Sequence, residues 1–211
     1  MKNVISFFVC VLFFSTSVMA QIKFGAKTGA NVGDIIETIE INADNFGEID
    51  PLEYRVKINP QLGIWLDLPI TTEISIQPEL LWTQKAYQPS DNNPTDTYVN
   101  FHYFSLPALA KLRLGKISIE AGPEFSFLMD QSLRNNDGGP DESPFIEENT
   151  LELAVNLGLQ YQHNRWIIGA RASRDVTSFQ EVDFTDINGE VVGTFRNFHQ
   201  SGVIWIGYQI L

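Results

Sequence analysis

The stretch YRVKINPQLGIWLDL, residues 54–68, alternates in character from one residue to the next. Its even positions, from Tyr54 to Leu68, are all apolar, whereas its odd positions are mostly polar and include Asn59, Gln61 and Asp67. Successive side chains of a β-strand point to opposite faces, so this pattern predicts a strand with one apolar and one polar face. The surroundings of those two faces decide the class of protein.

The same alternation recurs along the chain and predicts an all-β fold. We expect eight strands of roughly ten or more residues. Their apolar cores lie in the segments 21–33, 54–66, 73–82, 104–114, 117–127, 151–161, 166–173 and 198–211.

The connections between these strands alternate in length. We predict short turns at 67–72, at Gly115-Lys116 and at His163-Asn164, and long loops at 34–53, 86–98, 130–149 and 175–197. An even number of antiparallel strands with short periplasmic turns and long extracellular loops is typical of an up-and-down transmembrane β-barrel of the bacterial outer membrane. Lipid would then cover the apolar face, and closure of the barrel would remove unpaired strand edges.

A soluble, lipocalin-like ligand-binding barrel is the alternative, because alternation alone does not show which face points inward. The polar face is rich in glycine, serine and glutamine with a few balanced charges, as a narrow filled lumen requires. The regular alternation of short and long connections also favours the membrane barrel. We therefore expect outer-membrane lipid and the barrel-assembly machinery among the partners of this protein.

Residues 1–20 have the features of a secretory signal peptide. Lys2 precedes the apolar run ISFFVCVLFF, and Val18-Met19-Ala20 forms a small-x-small junction. We predict an exported barrel domain spanning residues 21–211. The only cysteine, Cys10, would leave with the peptide, so no disulfide or thiol chemistry is expected.

Charged residues on the inward face are expected to form a structural network that fills the lumen. A two-residue turn at Gly115-Lys116 would place Lys111 opposite Glu120, an inward pair of opposite charge. The full predicted network comprises Arg55, Lys57, Glu79, Lys111, Arg113, Glu120, Glu124, Glu152 and Arg171. Such a lumen is too narrow to conduct, so we expect neither a channel nor a cofactor.

Acidic residues are concentrated in the four predicted long loops, which hold 20 of the 26 acids but only Arg134 and Arg196 among the bases. Divalent cations or a cationic partner could bind at DNNPTD (91–96), NNDGGPDES (135–143) or DFTDINGE (183–190). The alternative is a solvated, self-repelling surface, since none of these strings has a complete calcium-loop spacing. Nucleic acid is not expected as a partner. Asn188-Gly189 is predicted to form a hairpin turn.

The histidines give little indication of an enzyme. His199 and Ser201 share one strand face, the minimum for a Ser-His pair, but no oxyanion donors can be named. His163 is predicted in a tight turn, and His102 and Ser105 point to opposite faces. A non-enzymatic role is therefore expected, with a lipid-processing enzyme as the alternative.

Several segments resemble the outer-membrane β-barrel family of Bacteroidota, the PorT-like group. They are FGAKTGANVGD, QPELLWTQKAY, YFSLPALAKLRLG, EAGPEFSFL and LGLQYQHNRWIIGARAS, which together cover most of residues 21–211. The resemblance implies a small eight-stranded barrel of the OmpA/OmpX type in the outer membrane, and no catalytic residues. It also implies envelope or secretion-system proteins as partners, since PorT itself is associated with type IX secretion.

Overall fold

The computed structural model describes residues 22–41, 54–89, 97–135, 150–185 and 189–211. The predicted signal peptide lies outside these residues. Within them the chain forms ten β-strands and one antiparallel sheet. The strands are β1 Lys23–Ile41, β2 Tyr54–Val56, β3 Ile58–Pro69, β4 Ile74–Pro89, β5 Thr97–Leu114, β6 Ile117–Asn135, β7 Leu151–His163, β8 Trp166–Asp175, β9 Gln180–Thr185 and β10 Val191–Gln209.

The sheet closes on itself into a barrel with eight strand positions in its wall. Neighbours follow the order β1, β3, β4, β5, β6, β7, β8, β10, and β1 pairs with β10 from Gly25–Gln209 to Ile41–Gly193. Strands β2 and β3 share one position, separated only at Lys57, and β9 continues the position of β8 along β10. The prediction of a closed eight-stranded antiparallel barrel is confirmed.

Tight turns join the strands at one end of the barrel. Gly115 has φ 68° in the two-residue turn Gly115-Lys116, and the predicted pairs Leu114–Ile117, Leu112–Ile119 and Lys111–Glu120 are present. The other two short turns differ from the prediction. Residues 70–73 form the first, and Asn164, with φ 54°, begins the last, so that Asp67 and His163 belong to strands.

The strands extend further at the opposite end than we predicted, so the connections there are shorter. β1 continues to Ile41 and β6 to Asn135, and the paired strands β9 and β10 take up most of the predicted loop 175–197. Antiparallel pairing satisfies the backbone equally well beyond the lipid, where both faces meet water and the apolar alternation disappears. The acidic strings at 91–96 and 136–143 and residue Asn188 of the predicted hairpin lie outside the described residues.

Apolar side chains cover the outer wall of the barrel. In residues 58–67 every even position is exposed, from Ile58 (77%) to Leu66 (40%), whereas every odd position is buried or half-buried. Soluble monomers rarely expose a continuous apolar surface of this extent, which is typical of a surface that contacts a membrane or a partner. Near the tight turns, Trp166 packs against Tyr208 with ring centroids 4.9 Å apart, as in the aromatic girdle of a membrane barrel. No helix in the described ranges is long and apolar enough to cross a membrane.

Candidate functional site in the barrel lumen

Four charged side chains meet at the centre of the lumen, and we name them the central charged layer. They are Lys27 on β1, Glu79 on β4, Glu120 on β6 and Arg171 on β8. In the order of the wall these strands occupy every second position, so each side chain enters from a different quarter of the barrel. All four residues are at most 5% exposed. In small closed barrels, the inward-pointing side chains of alternate strands are expected to fill one layer of the interior.

Arg171 connects the two carboxylates of this layer. Its Nη1 and Nη2 donate to the two carboxylate oxygens of Glu79 at 2.8 and 2.9 Å, and its Nε and Nη2 donate to Glu120 Oε1 at 2.8 and 2.6 Å. Lys27 Nζ donates to Glu79 Oε2 at 2.5 Å. Two cations and two anions therefore balance in this buried site, and charge-assisted hydrogen bonds satisfy the buried charges.

A second group lies between the central charged layer and the tight turns. Asp67 accepts hydrogen bonds from Arg113 and, at 3.0 Å, from Lys111. Gln77 accepts from Lys111 at 2.9 Å and donates to Glu79 Oε1 at 2.7 Å. Lys111 thus faces Glu120 in the register but donates to Asp67 and Gln77. The predicted placement of Lys111 opposite Glu120 is therefore present, while the ion-pair partners are Asp67 for Lys111 and Arg171 for Glu120.

Two indole rings fill the lumen beside the central charged layer. Trp65 and Trp205 are 2% and 3% exposed, and Lys27 Nζ lies 4.7 Å from the ring centroid of Trp205. Glycines on the inner face leave room for these two rings, because they have no Cβ atom. A Cβ atom on Gly169 would lie 2.4 Å from the Trp205 ring, and one on Gly25 would lie 2.3 Å from the Trp65 ring. The glycines of the polar face are therefore required by close packing rather than by turns.

The outer half of the lumen carries an excess of acid. Glu124 accepts from Ser126 Oγ at 3.1 Å and from Asn156 Nδ2 at 3.0 Å. Further out, Glu152 accepts from Tyr103 Oη at 2.5 Å and from Lys85 Nζ at 3.2 Å. We name Lys85, Tyr103, Glu152, Asp175 and His199 the outer cluster.

Aromatic rings cover the outer cluster. The Phe179 ring centroid lies 4.0 Å from that of His199, and those of Phe101 and Tyr103 lie 5.7 and 6.0 Å from it. Phe179 lies in the interruption between β8 and β9, at residues 176–179, and is 3% exposed. His199 is consequently 1% exposed.

The nine residues predicted for the lumen network have the following positions. Glu79, Lys111, Glu120, Glu124, Glu152 and Arg171 are buried in the lumen, and Arg113 is half-buried at its periplasmic end. Lys57 is half-buried at the break between β2 and β3. The Arg55 side chain lies outside the described residues.

In the part of the chain that the structure describes, four buried charged residues of the lumen lay outside the predicted network: Lys27, Asp67, Lys85 and Asp175. Lys27 alternates with Gly25 and Gly29 on the inward face, a signal that could have identified it. Asp67 and Asp175 were assigned to a turn and a loop, because the strand ends were placed too early. Asp175 could not be assigned to the lumen without the correct strand length, whereas Asp67 already shared the polar face of residues 54–68 with Asn59 and Gln61.

His199 and Ser201 lie on the same face of β10, as predicted, but His199 is enclosed by Phe101, Tyr103 and Phe179. His102 stacks on Trp82 with centroids 5.6 Å apart. His163 ends β7 opposite Trp166, so our assignment of His163 to the turn is wrong. A residue next to a two-residue turn can still pair across it, and only Asn164 has the left-handed backbone of the turn.

The family is shown by a match over most of the chain. The family model described as "Outer membrane protein beta-barrel domain" matches residues 15–183. The chain belongs to this family. It is therefore a protein of the bacterial outer membrane, and its apolar exterior faces lipid. No curated protein matches the chain.

The chain is similar to several solved outer-membrane proteins. Neisserial surface protein A is 12% identical, with coverage of 88% of this chain and 96% of that chain and a TM-score of 0.49. OprG from Pseudomonas aeruginosa is 11% identical, with coverage of 89% and 95% and a TM-score of 0.48. Ail of Yersinia pestis, solved in complex with a heparin analogue, is 12% identical, with coverage of 87% and 98% and a TM-score of 0.41.

Proposed function

We propose that the protein is a non-conducting, non-enzymatic outer-membrane barrel with a structural or interaction role in the cell envelope. The central charged layer carries this proposal. Arg171 reaches from its own strand to Glu79 on the opposite side of the barrel, so the layer crosses the lumen from wall to wall. A solute would have to separate several charge-assisted hydrogen bonds to pass.

Conductance in planar lipid bilayers tests the closed lumen. We expect the refolded wild-type barrel to insert without conductance steps. The charge-balanced double variant Arg171→Ala/Glu79→Ala, which shortens two side chains of the central charged layer, is expected to give small steps. Steady conductance of the wild-type protein would contradict the proposal.

The interaction role is assigned to the long connections between the strands. The segments 42–53, 90–96 and 136–149 contain acids and no lysine or arginine, which favours a cationic partner or divalent cations over an anionic one. We expect a variant with 136–149 replaced by a glycine-serine linker to insert normally. It should fail to restore envelope integrity in cells that lack the protein, whereas the full-length chain restores it.

A narrower assignment to the PorT-like group of Bacteroidota rests on the strand segments described above. It predicts an association with envelope or secretion-system proteins. Comparison of the secreted proteins of cells with and without this gene tests it. An unchanged set of type IX cargo would remove the secretion role and leave the structural one.

A further inference from the structure

We propose that the outer cluster is a binding site for a divalent transition-metal ion, with Glu152, Asp175 and His199 as its ligands. One donor atom from each of these residues lies within 4.8 Å of the other two. A nitrogen and two carboxylate oxygens suit ions such as Zn²⁺, Co²⁺ or Mn²⁺. The site is distinct from the acidic loops and goes beyond the role proposed above.

The strand pairing brings the three ligands together on one face. Ala154 pairs with Asp175 across β7 and β8, so Glu152, two residues along, is the diagonal neighbour of Asp175. Gln200 pairs with Arg174 across β10 and β8, so His199 and Asp175 come next on those two strands. The ligands therefore arise from three neighbouring strands of a rigid wall, which limits their separation.

The buried carboxylate of Asp175 is a further observation in favour of a cation ligand. The residue is 6% exposed, and its Oδ2 atom has no hydrogen-bond partner. The ammonium group of Lys85 lies 3.7 Å from it, beyond hydrogen-bonding distance. A buried carboxylate oxygen of this kind is costly unless a further cation or donor approaches it.

The charge of the surroundings also favours a cation. Glu124 pairs with Ala154, which pairs in turn with Asp175, so a third carboxylate follows in the same row across the wall. Lys85 is the ion-pair partner of both Glu152 and Asp175. Three acidic side chains beside the ammonium group of Lys85 favour a further cation in the outer half of the lumen.

Hydrogen bonds from Tyr103 and Lys85 orient the carboxylate of Glu152. Tyr103 Oη donates to Glu152 Oε1 at 2.5 Å and leaves Oε2 directed at Lys85 Nζ, 3.2 Å away. Lys85 Nζ lies 4.6 Å from the Tyr103 ring centroid, so the ammonium group can move towards the ring face when an ion takes its place. Ligands about 2.0–2.2 Å from zinc lie roughly 3.5 Å apart, so small side-chain rotations close the site.

Cobalt binding by the full-length, refolded protein in detergent tests the proposal. We expect one Co²⁺ per chain, with visible ligand-field absorption that Zn²⁺ abolishes. The chain has three histidines, so His102→Gln and His163→Gln are matched controls and should bind as the wild type does. His199→Gln and Asp175→Asn should each weaken binding at least tenfold. Lys85→Met, which removes the competing ammonium group, should strengthen it severalfold.

Unfolding in urea is a second measurement, and it also shows whether each variant is folded. Zn²⁺ should raise the urea midpoint of wild-type unfolding, and Asp175→Asn, which keeps the size of the side chain, should remove this shift. Absence of both absorption and shift in the wild type at millimolar ion would overturn the proposal. Binding that survives His199→Gln and Asp175→Asn would also overturn it and place the ion at the acidic loops. Neither result would alter the conductance test.

Discussion

Arg171 and Glu79 are separated by 92 residues in the chain and lie on opposite sides of the barrel, yet they share two parallel hydrogen bonds of 2.8 and 2.9 Å. The fork therefore acts as a cross-brace between β4 and β8. Glu120 accepts from the same guanidinium group, which ties a third strand to the brace. A charged side chain in this position stabilises the barrel only while all its partners are present.

Arg171→Met should destabilise the barrel by about 3–5 kcal/mol, because it leaves Glu120 as a buried carboxylate without its cation. Urea unfolding in lipid vesicles, followed by tryptophan fluorescence, measures the free energy of unfolding. Arg165→Met, in the exposed turn after β7, is the matched control and should not change stability.

The double variant Arg171→Met/Glu120→Gln should recover part of that loss, since it removes the carboxylate that the single variant leaves unpaired. A single variant as stable as the wild type would show that the brace carries no net stabilisation.

Gly169→Ala should destabilise the barrel by about 1–3 kcal/mol, because the new methyl group would overlap the Trp205 ring. Gly202→Ala is the matched control, since a Cβ atom there meets no heavy atom within 4 Å. Heat-modifiability on gels and urea midpoints report the effect. Trp205→Leu in the Gly169→Ala background should restore stability if the overlap is its cause.

Leu157→Arg tests the depth of the lipid-facing wall. Leu157 is 62% exposed and lies six residues before His163, the end of β7. At about 3.4 Å per residue and a tilt of about 40°, it is roughly 15 Å up an apolar band about 25 Å tall. Arginine near the bilayer midplane should cost about 2–4 kcal/mol in vesicles.

Val191→Arg, at the far end of β10, is the control for depth and should cost much less in the same assay, because that strand end lies beyond the band. Equal costs at both positions would contradict the placement of the membrane.

Tyr103→Phe should destabilise the barrel by about 1.5–3 kcal/mol, because it removes the 2.5 Å hydrogen bond that the phenol donates to buried Glu152. Tyr161→Phe, on the outer wall and 45% exposed, is the matched control. The difference between the two urea midpoints isolates the hydrogen bond, and equal midpoints would argue against its contribution.

The sequence by itself determined the barrel, the two faces of each strand and the register at Gly115-Lys116. Successive residues of each strand face the lipid and the lumen in turn. The resulting alternation of apolar and polar residues is a local signal that repeats along each strand. The sequence alone was therefore enough to place Leu62 on the outer face and Gln61 on the inner face, and to place Lys111 opposite Glu120. The family match supports this reading over residues 15–183.

Only the tertiary structure decided which charges bind one another. The partners of Arg171 and Lys111 depend on which strands face each other across the lumen and at what height, and the strand ends set that height. Alternation vanishes where strands leave the lipid, so Asp175 was assigned to a loop, although it is a buried lumen residue. The local alternation of residues predicts the strands of the wall. The closed geometry of the barrel determines contacts between residues that are far apart in the chain, such as Arg171 and Glu79.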